Sequence, residues 1–402
     1  MKSLTRWGFV LTALVAVPLA LAGTASGQGG LVLTDLGAPR GLSSTGSHVL
    51  IADQGGGRIL NVSRFGTIGV IVDGLPTSTI DEGDGETVVV GVTAVIDGGG
   101  IYYFTVGESE EPGFDSVYSV RPGGKPSLVA DLGDYEEANN TDGDVDGAGE
   151  PELLSNPFDL VRDGAGGLYI SASGANAVLH IDASGDISPF AIFPNRANPL
   201  FPAVGGPTMD QVPTGLEVGP DGALYVTTLT GFPFPPEAAR VYRLEDSSGD
   251  GDALDDGETT IYAEGLTAAT NLAFDLDGSL LVTEFSLNLL AEAHGRLVRV
   301  VDGAIAEVVA EPLITPTGVT VMGDGTILVS QEFLGIVAEV SEAVAIASSP
   351  PPGAITPPAT GDAGLAASDP TAPYVIAALL SLGLAAGVAA AGRLALGRSR
   401  RA

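Results

Sequence analysis

Apolar residues along most of this chain fall in short runs that alternate with polar positions. Turn residues, not helical stretches, separate the runs. The segment "NPFDLVRDGAGGLYISASGANAVLHIDASG", beginning at Asn156, shows the unit: a run, an Asp-Gly turn, a second run, a loop and a third run. The same grammar begins at Ala38, Val212, Ala269 and Thr315, and more weakly at Val90. Turns sit at Asp97-Gly98, Asp163-Gly164, Asp221-Gly222, Asp277-Gly278 and Asp324-Gly325. Asp and Gly tolerate positive φ, so Asp-Gly between apolar runs is a strong hairpin signal. Most copies add a fourth run, such as "TIGVIVDGL", "ISPFAIFP" or "TTIYAEGL". Four antiparallel strands every 45 to 65 residues or so fit the blade of a propeller.

The copy at Thr315 lacks a fourth run, and the segment Leu31 to Leu36, "LVLTDL", supplies one. The expected fold is therefore all-β: a six-bladed β-propeller of four-stranded antiparallel blades over residues 31–345, closed by the N-terminal strand. Closure removes exposed sheet edges, which otherwise template aggregation. No helical pattern of convincing length precedes Pro350.

The stretches "PRGLSSTGSHVLIADQGGGRI" and "NPFDLVRDGAGGLYISASGANAVLHIDASG" resemble the NHL type of propeller repeat. The succession "NPFDL", "VPTGLEVGPDGALYVTTLTGFPFPPEAARVYRL" and "YAEGLTAATNLAFDLDGSLLVTEF" resembles the ScyD/ScyE family of secreted propellers, over roughly Leu31 to Val340. That resemblance implies the fold and an exported location, and no established activity. The wider superfamily of gluconolactonase-like and strictosidine-synthase-like proteins implies a metal ion in the central channel.

The two ends read as targeting segments. Lys2 and Arg6 precede an apolar run, Gly8 to Ala22, and then small residues, as in a secretory signal peptide over residues 1–27. A Pro/Ala-rich stretch, 346–373, is too poor in burial-competent residues to fold and reads as a disordered stalk. Residues 374–392 carry no charge and are long enough for a transmembrane helix. The basic tail, 393–402, holds Arg393, Arg398, Arg400 and Arg401 and marks the cytoplasmic side. Pro357-Pro358-Ala359-Thr360-Gly361 resembles a sortase signal cut at Thr360-Gly361, with Pro where Leu is usual. The expected location is the outer face of a bacterial membrane or the cell wall, held by the C-terminal helix.

Composition narrows the partners. Eleven basic residues face 50 acidic ones between the terminal segments, a surplus of 39 negative charges. Nucleic acid is excluded, because phosphate binding needs Lys and Arg. The chain has no Cys, which rules out disulfides and thiol chemistry.

Two acidic loops are candidate calcium sites. In "NNTDGDVDGAGEPE" the alternating Asp142, Asp144 and Asp146 with Gly147 match the opening of an EF-hand-like loop, and Glu150 or Glu152 would complete the oxygen set. In "EDSSGDGDALDDGE" the candidate ligands are Asp246, Asp250, Asp252, Asp255, Asp256 and Glu258. Both loops also read as solvated acidic blade loops, as does the cluster Asp81 to Glu86. His48 and His180 fall inside strands and read as structural; His294 falls in a loop. No H-E-x-x-H or G-x-S-x-G motif occurs. Asn156, Asn271 and Glu284 are the positions where a lactonase-like channel site would draw ligands. Phe201, Phe232 and Phe234 are the aromatics available for a sugar. The reading that follows is an extracellular binding or scaffold module, with a metal-dependent lactonase-like hydrolase as the alternative.

Overall fold

The computed structural model describes residues 30–341, apart from 82–86, 146–148 and 292. The expected signal peptide, stalk, membrane helix and basic tail lie outside the described residues, as do most of the Asp81 to Glu86 cluster and Asp146. Among the described residues no helix is long and apolar enough to cross a membrane.

Six four-stranded antiparallel sheets follow one another along the chain. Their innermost strands are Pro39–Ser44, Val92–Asp97, Pro157–Arg162, Pro213–Val218, Ala269–Phe274 and Pro316–Val321. The first five blades are sequential, and the sixth is completed by Val32–Leu33, paired with Ile336–Glu339 through Val32↔Ala338 and Leu33↔Val337. The expected closure is thus observed. Seven apolar clusters fill the spaces between strands and between neighbouring blades.

Each blade begins at the same device. The residue before the innermost strand accepts a hydrogen bond from the residue just past the second strand. The six bonds run from Gln54 to Ala38, Gly107 to Gly91, Ser173 to Asn156, Leu229 to Val212, Phe285 to Ala268 and Glu332 to Thr315. Five of the acceptors, Ala38, Asn156, Val212, Ala268 and Thr315, hold a positive φ. For β-branched Val212 and Thr315 that conformation costs about 1–3 kcal/mol each, which the surrounding packing offsets. At the other end of the strand the Asp-Gly turns form as the sequence indicates. In the third blade the Asp163 carboxylate accepts from the N–H groups of Ala165, Gly166 and Gly167, at 2.7 to 2.9 Å, and Gly164 has φ 79°.

One helix departs from the sequence expectation: Leu132–Asn139 follows the second blade. Asp131 caps it by accepting from the Asp134 N–H at 2.9 Å, and Asn140 ends it in a left-handed conformation. Its eight residues span little over two turns, too few for a periodic signature, so the caps alone announce it.

Candidate functional site

The channel is built from equivalent positions of the six innermost strands. Their second residues are Arg40, Thr93, Phe158, Thr214, Thr270 and Thr317. Three of the threonines stitch the ring: Thr93 donates to the Pro157 carbonyl at 2.9 Å, Thr214 to Ala269 at 3.0 Å and Thr270 to Pro316 at 3.1 Å. Arg40 and Phe158 break the pattern together, the guanidinium lying 4.3 Å from the ring centroid. Arg40 is 2% exposed, and its Nη1 donates to Gln54 Oε1 at 3.1 Å. Its Nε and Nη2 are buried without a hydrogen-bond partner, and Glu332 and Asp159 are the opposite charges that act on it.

Third positions are Gly41, Ala94, Asp159, Gly215, Asn271 and Gly318. Small residues are required where neighbouring strands touch: a Cβ at Gly215 would stand 2.6 Å from the Asn271 Cα. The two exceptions pair with each other, Asn271 Nδ2 donating to Asp159 Oδ2 at 3.0 Å. Asp159 also accepts from the N–H of Leu216 at 3.0 Å and of Leu160 at 2.8 Å. Burial outweighs these donors and pushes its carboxyl up to about 7.

The two mouths differ. On the corner side, residues of the third, fourth and fifth blades form a buried apolar cluster of Phe158, Val212, Leu229, Phe234, Ala268, Phe285 and Leu289. The turn side opens as a funnel of about 760 Å³, lined by the last residues of all six innermost strands. Glu217, half-buried in its wall, is pushed up to about 8 by desolvation and by the charge of Asp159.

Of the channel positions raised from sequence, only Asn271 spans it. Asn156 is a corner residue whose N–H donates to Asp115 Oδ1 at 2.8 Å. Glu284 is fully buried, accepts from the Thr267 N–H and pairs with Arg296, so it closes a blade corner. Arg40, Asp159 and Glu217 were not singled out from the sequence. The only signal for them is a charged residue at a repeat position where the other copies carry uncharged side chains.

The acidic loops resolve differently. Asp246, Asp250 and Glu258 converge: one carboxylate oxygen from each lies within 4.8 Å of the other two. They sit on the loop joining the two outer strands of the fourth blade, Ala239–Leu244 and Thr259–Leu266. Glu258 is 3% exposed and accepts from the N–H groups of Ser247 and Ser248 at 2.9 and 2.8 Å. Those donors, Ser248 foremost, hold its carboxyl below the usual range. Asp246 accepts from Gly249 at 2.6 Å and Gly251 at 3.0 Å. Asp252 and Asp256 do not join the cluster: Asp252 turns to the Leu254 N–H at 3.0 Å, and Asp256 is exposed. Glu258, the most distant of the six candidates from Asp246 in sequence, joins the cluster because the loop doubles back on itself.

In the other loop Asp142 accepts from Asp144 N–H at 2.9 Å and from Asn176 Nδ2 at 2.9 Å, and Asn195 Nδ2 donates to both oxygens of Asp144. Glu150 is exposed. Among the described residues these carboxylates do not gather as three ligands on one point. Asp210, from a distant part of the sequence, lies near them; burial and the charges of Asp144 and Asp142 push it up to about 6. His180 pairs with Asp163 at 2.9 Å and His294 with Glu311 at 2.7 Å. Phe201 and Phe232 are each 50% exposed, whereas Phe234 is 6% exposed inside the mouth cluster.

No family model matches the chain, and no curated protein matches it. Solved structures similar to it include a gluconolactonase from Xanthomonas campestris, at 14% identity over 80% of this chain and 99% of that one, with a TM-score of 0.49. A calcium-binding protein, regucalcin, from Agrobacterium tumefaciens is similar at 14% identity over 76% and 90%, with a TM-score of 0.47. Virginiamycin B lyase from Staphylococcus aureus is similar at 17% identity over 79% and 97%, with a TM-score of 0.44.

Proposed function

We propose that the chain is an exported β-propeller, held at the outer face of a bacterial membrane, that works as a binding module with one loop ordered by calcium. The observation that carries the reading is the convergence of Asp246, Asp250 and Glu258 on a loop outside the channel. Hard cations take oxygen ligands, and calcium accepts six to eight of them in flexible geometry. Three carboxylates held together by backbone N–H groups offer a start on such a set, and calcium would relieve their mutual repulsion. The signal-like N-terminus, the stalk and the apolar C-terminal stretch support display outside the cell, and the ScyD/ScyE-like repeats agree with it.

The experiment is calcium titration of the full chain by calorimetry, with melting followed with and without chelator. Binding to the folded state raises its stability by mass action. The expected result is a calcium-dependent rise in Tm that Asp250→Ala abolishes. Melting that ignores both calcium and chelator refutes the calcium part of the reading. The alternative, a metal-dependent lactonase-like hydrolase, draws on Asp159 and Asn271 in the channel. It competes with the three donors that Asp159 already accepts. Metal-dependent turnover of a lactone panel, lost in Asp159→Asn, would replace the binding reading with this one.

A further inference from the structure

The fifth residues of the innermost strands ring the open mouth: Ser43, Ile96, Val161, Glu217, Ala273 and Thr320. Glu217 is the one ionisable side chain of the six. Two other charged residues line the funnel, Asp97 and Arg162, and both are exposed at its rim. Asp97 is committed to its own turn, accepting from the N–H of Gly99 at 2.7 Å and Gly100 at 3.0 Å. Asp159, one tier deeper on the neighbouring blade, accepts from three donors already. Innermost strands of the first, fifth and sixth blades bring no titratable group to the wall.

No hydrogen-bond donor reaches the Glu217 carboxyl among the described residues. A carboxyl half withdrawn from water without a partner carries part of the cost of burial, and a ligand that donates to it recovers that part. The chain's surplus of acid draws cations toward such a mouth. A calcium ion is a poor occupant, because one free carboxyl falls far short of the oxygens it needs. An anion meets Glu217 with Asp159 behind it. The rest of the wall mixes hydroxyl and backbone groups with an apolar strip that includes Val161, Phe274 and Met322. A volume of about 760 Å³ suits a small organic molecule.

We propose that the turn-side funnel binds a small organic cation, a protonated amine on a compact apolar body, with Glu217 as its counter-ion. This deepens the binding-module reading and rests on it. Burial pushes the Glu217 carboxyl up to about 8, so near neutral pH much of it is protonated. Seating an ammonium favours the carboxylate, and the displaced proton passes to the buffer.

The test is calorimetric titration of the full chain with benzylamine, in two buffers of different ionisation enthalpy, beside benzyl alcohol as the neutral analogue. Benzylamine is expected to bind with proton release. Benzyl alcohol and the Glu217→Gln variant are each expected to lower affinity at least about tenfold, the scale of a lost charge-assisted bond. Equal binding of the alcohol, unchanged affinity in Glu217→Gln, or no benzylamine binding up to about 10 mM, the weak end of ligand affinity, overturns the proposal. Displacement of benzylamine by calcium overturns it too. Proton release is read on the unmodified chain, so the test stands if Glu217→Gln does not fold. A lost amine response beside an intact calcium response sinks this inference and leaves the calcium loop standing.

Discussion

Glu217 and Glu258 belong to the same blade and are driven in opposite directions by their surroundings. Backbone N–H groups hold the Glu258 carboxyl low, whereas burial beside Asp159 pushes that of Glu217 up to about 8. The linkage signs are opposite as well. Glu258 stabilises the fold above its unfolded pKa, and that contribution is lost as pH falls through the folded value. For Glu217 the folded state holds its proton more tightly than the unfolded chain does. Stability therefore declines as pH rises from about 4.5 to about 8. Asp159 and Asp115, both pushed up to about 7, act with the same sign. Thermal melting is expected to fall across that window, and Glu217→Gln to flatten part of the fall. A profile unchanged by the substitution would show that Glu217 is not a source of it. Arg40 is the counterweight, with Glu332 and Asp159 around it. Arg40→Ala leaves those buried carboxyls uncompensated, and a loss of about 3 kcal/mol in denaturant unfolding is expected.

Blades are held to one another by a small vocabulary of contacts. The positive-φ corner sets the entry of each innermost strand, a threonine hydroxyl reaches the next blade, and glycine lets neighbouring strands approach. Gly41 is the clearest case, since a Cβ there would stand 2.6 Å from the Thr93 carbonyl oxygen. The sixth blade rests on the short strand Val32–Leu33. Leu33 is fully buried, in a cluster with Val49, Ile51, Leu328 and Val337. Leu33→Ala is expected to cost about 2–5 kcal/mol, the range for a buried leucine. Because this strand closes the ring, the variant should also unfold over a broader denaturant range. A sharp transition with stability intact would mean that the ring does not depend on it.

At the scale of the whole molecule the two faces of the ring are unlike. The corner side carries a buried cluster of phenylalanines and leucines, and the turn side carries the open funnel. In an antiparallel blade the first and third strands end on the same side, so the Asp246, Asp250 and Glu258 loop shares the funnel's face. The sequence alone determined the ring: period-two apolar runs, Asp-Gly turns and the missing fourth strand of the last blade are local signals, and each blade obeys them independently. It also marked the acidic loops, since carboxylate spacing within a dozen residues is visible in one dimension. Only the tertiary structure decided which carboxylates meet. Glu258 joined Asp246 and Asp250 because backbone N–H groups fold the loop back, whereas Asp252 and Asp256, nearer to Asp250 in sequence, turned away. The channel was hidden for the same reason. Arg40, Phe158, Asp159, Glu217 and Asn271 are far apart along the chain, and each looks ordinary in its own repeat. Closing the ring stacks equivalent positions in tiers, and a single charge in a tier of uncharged residues becomes a site only then.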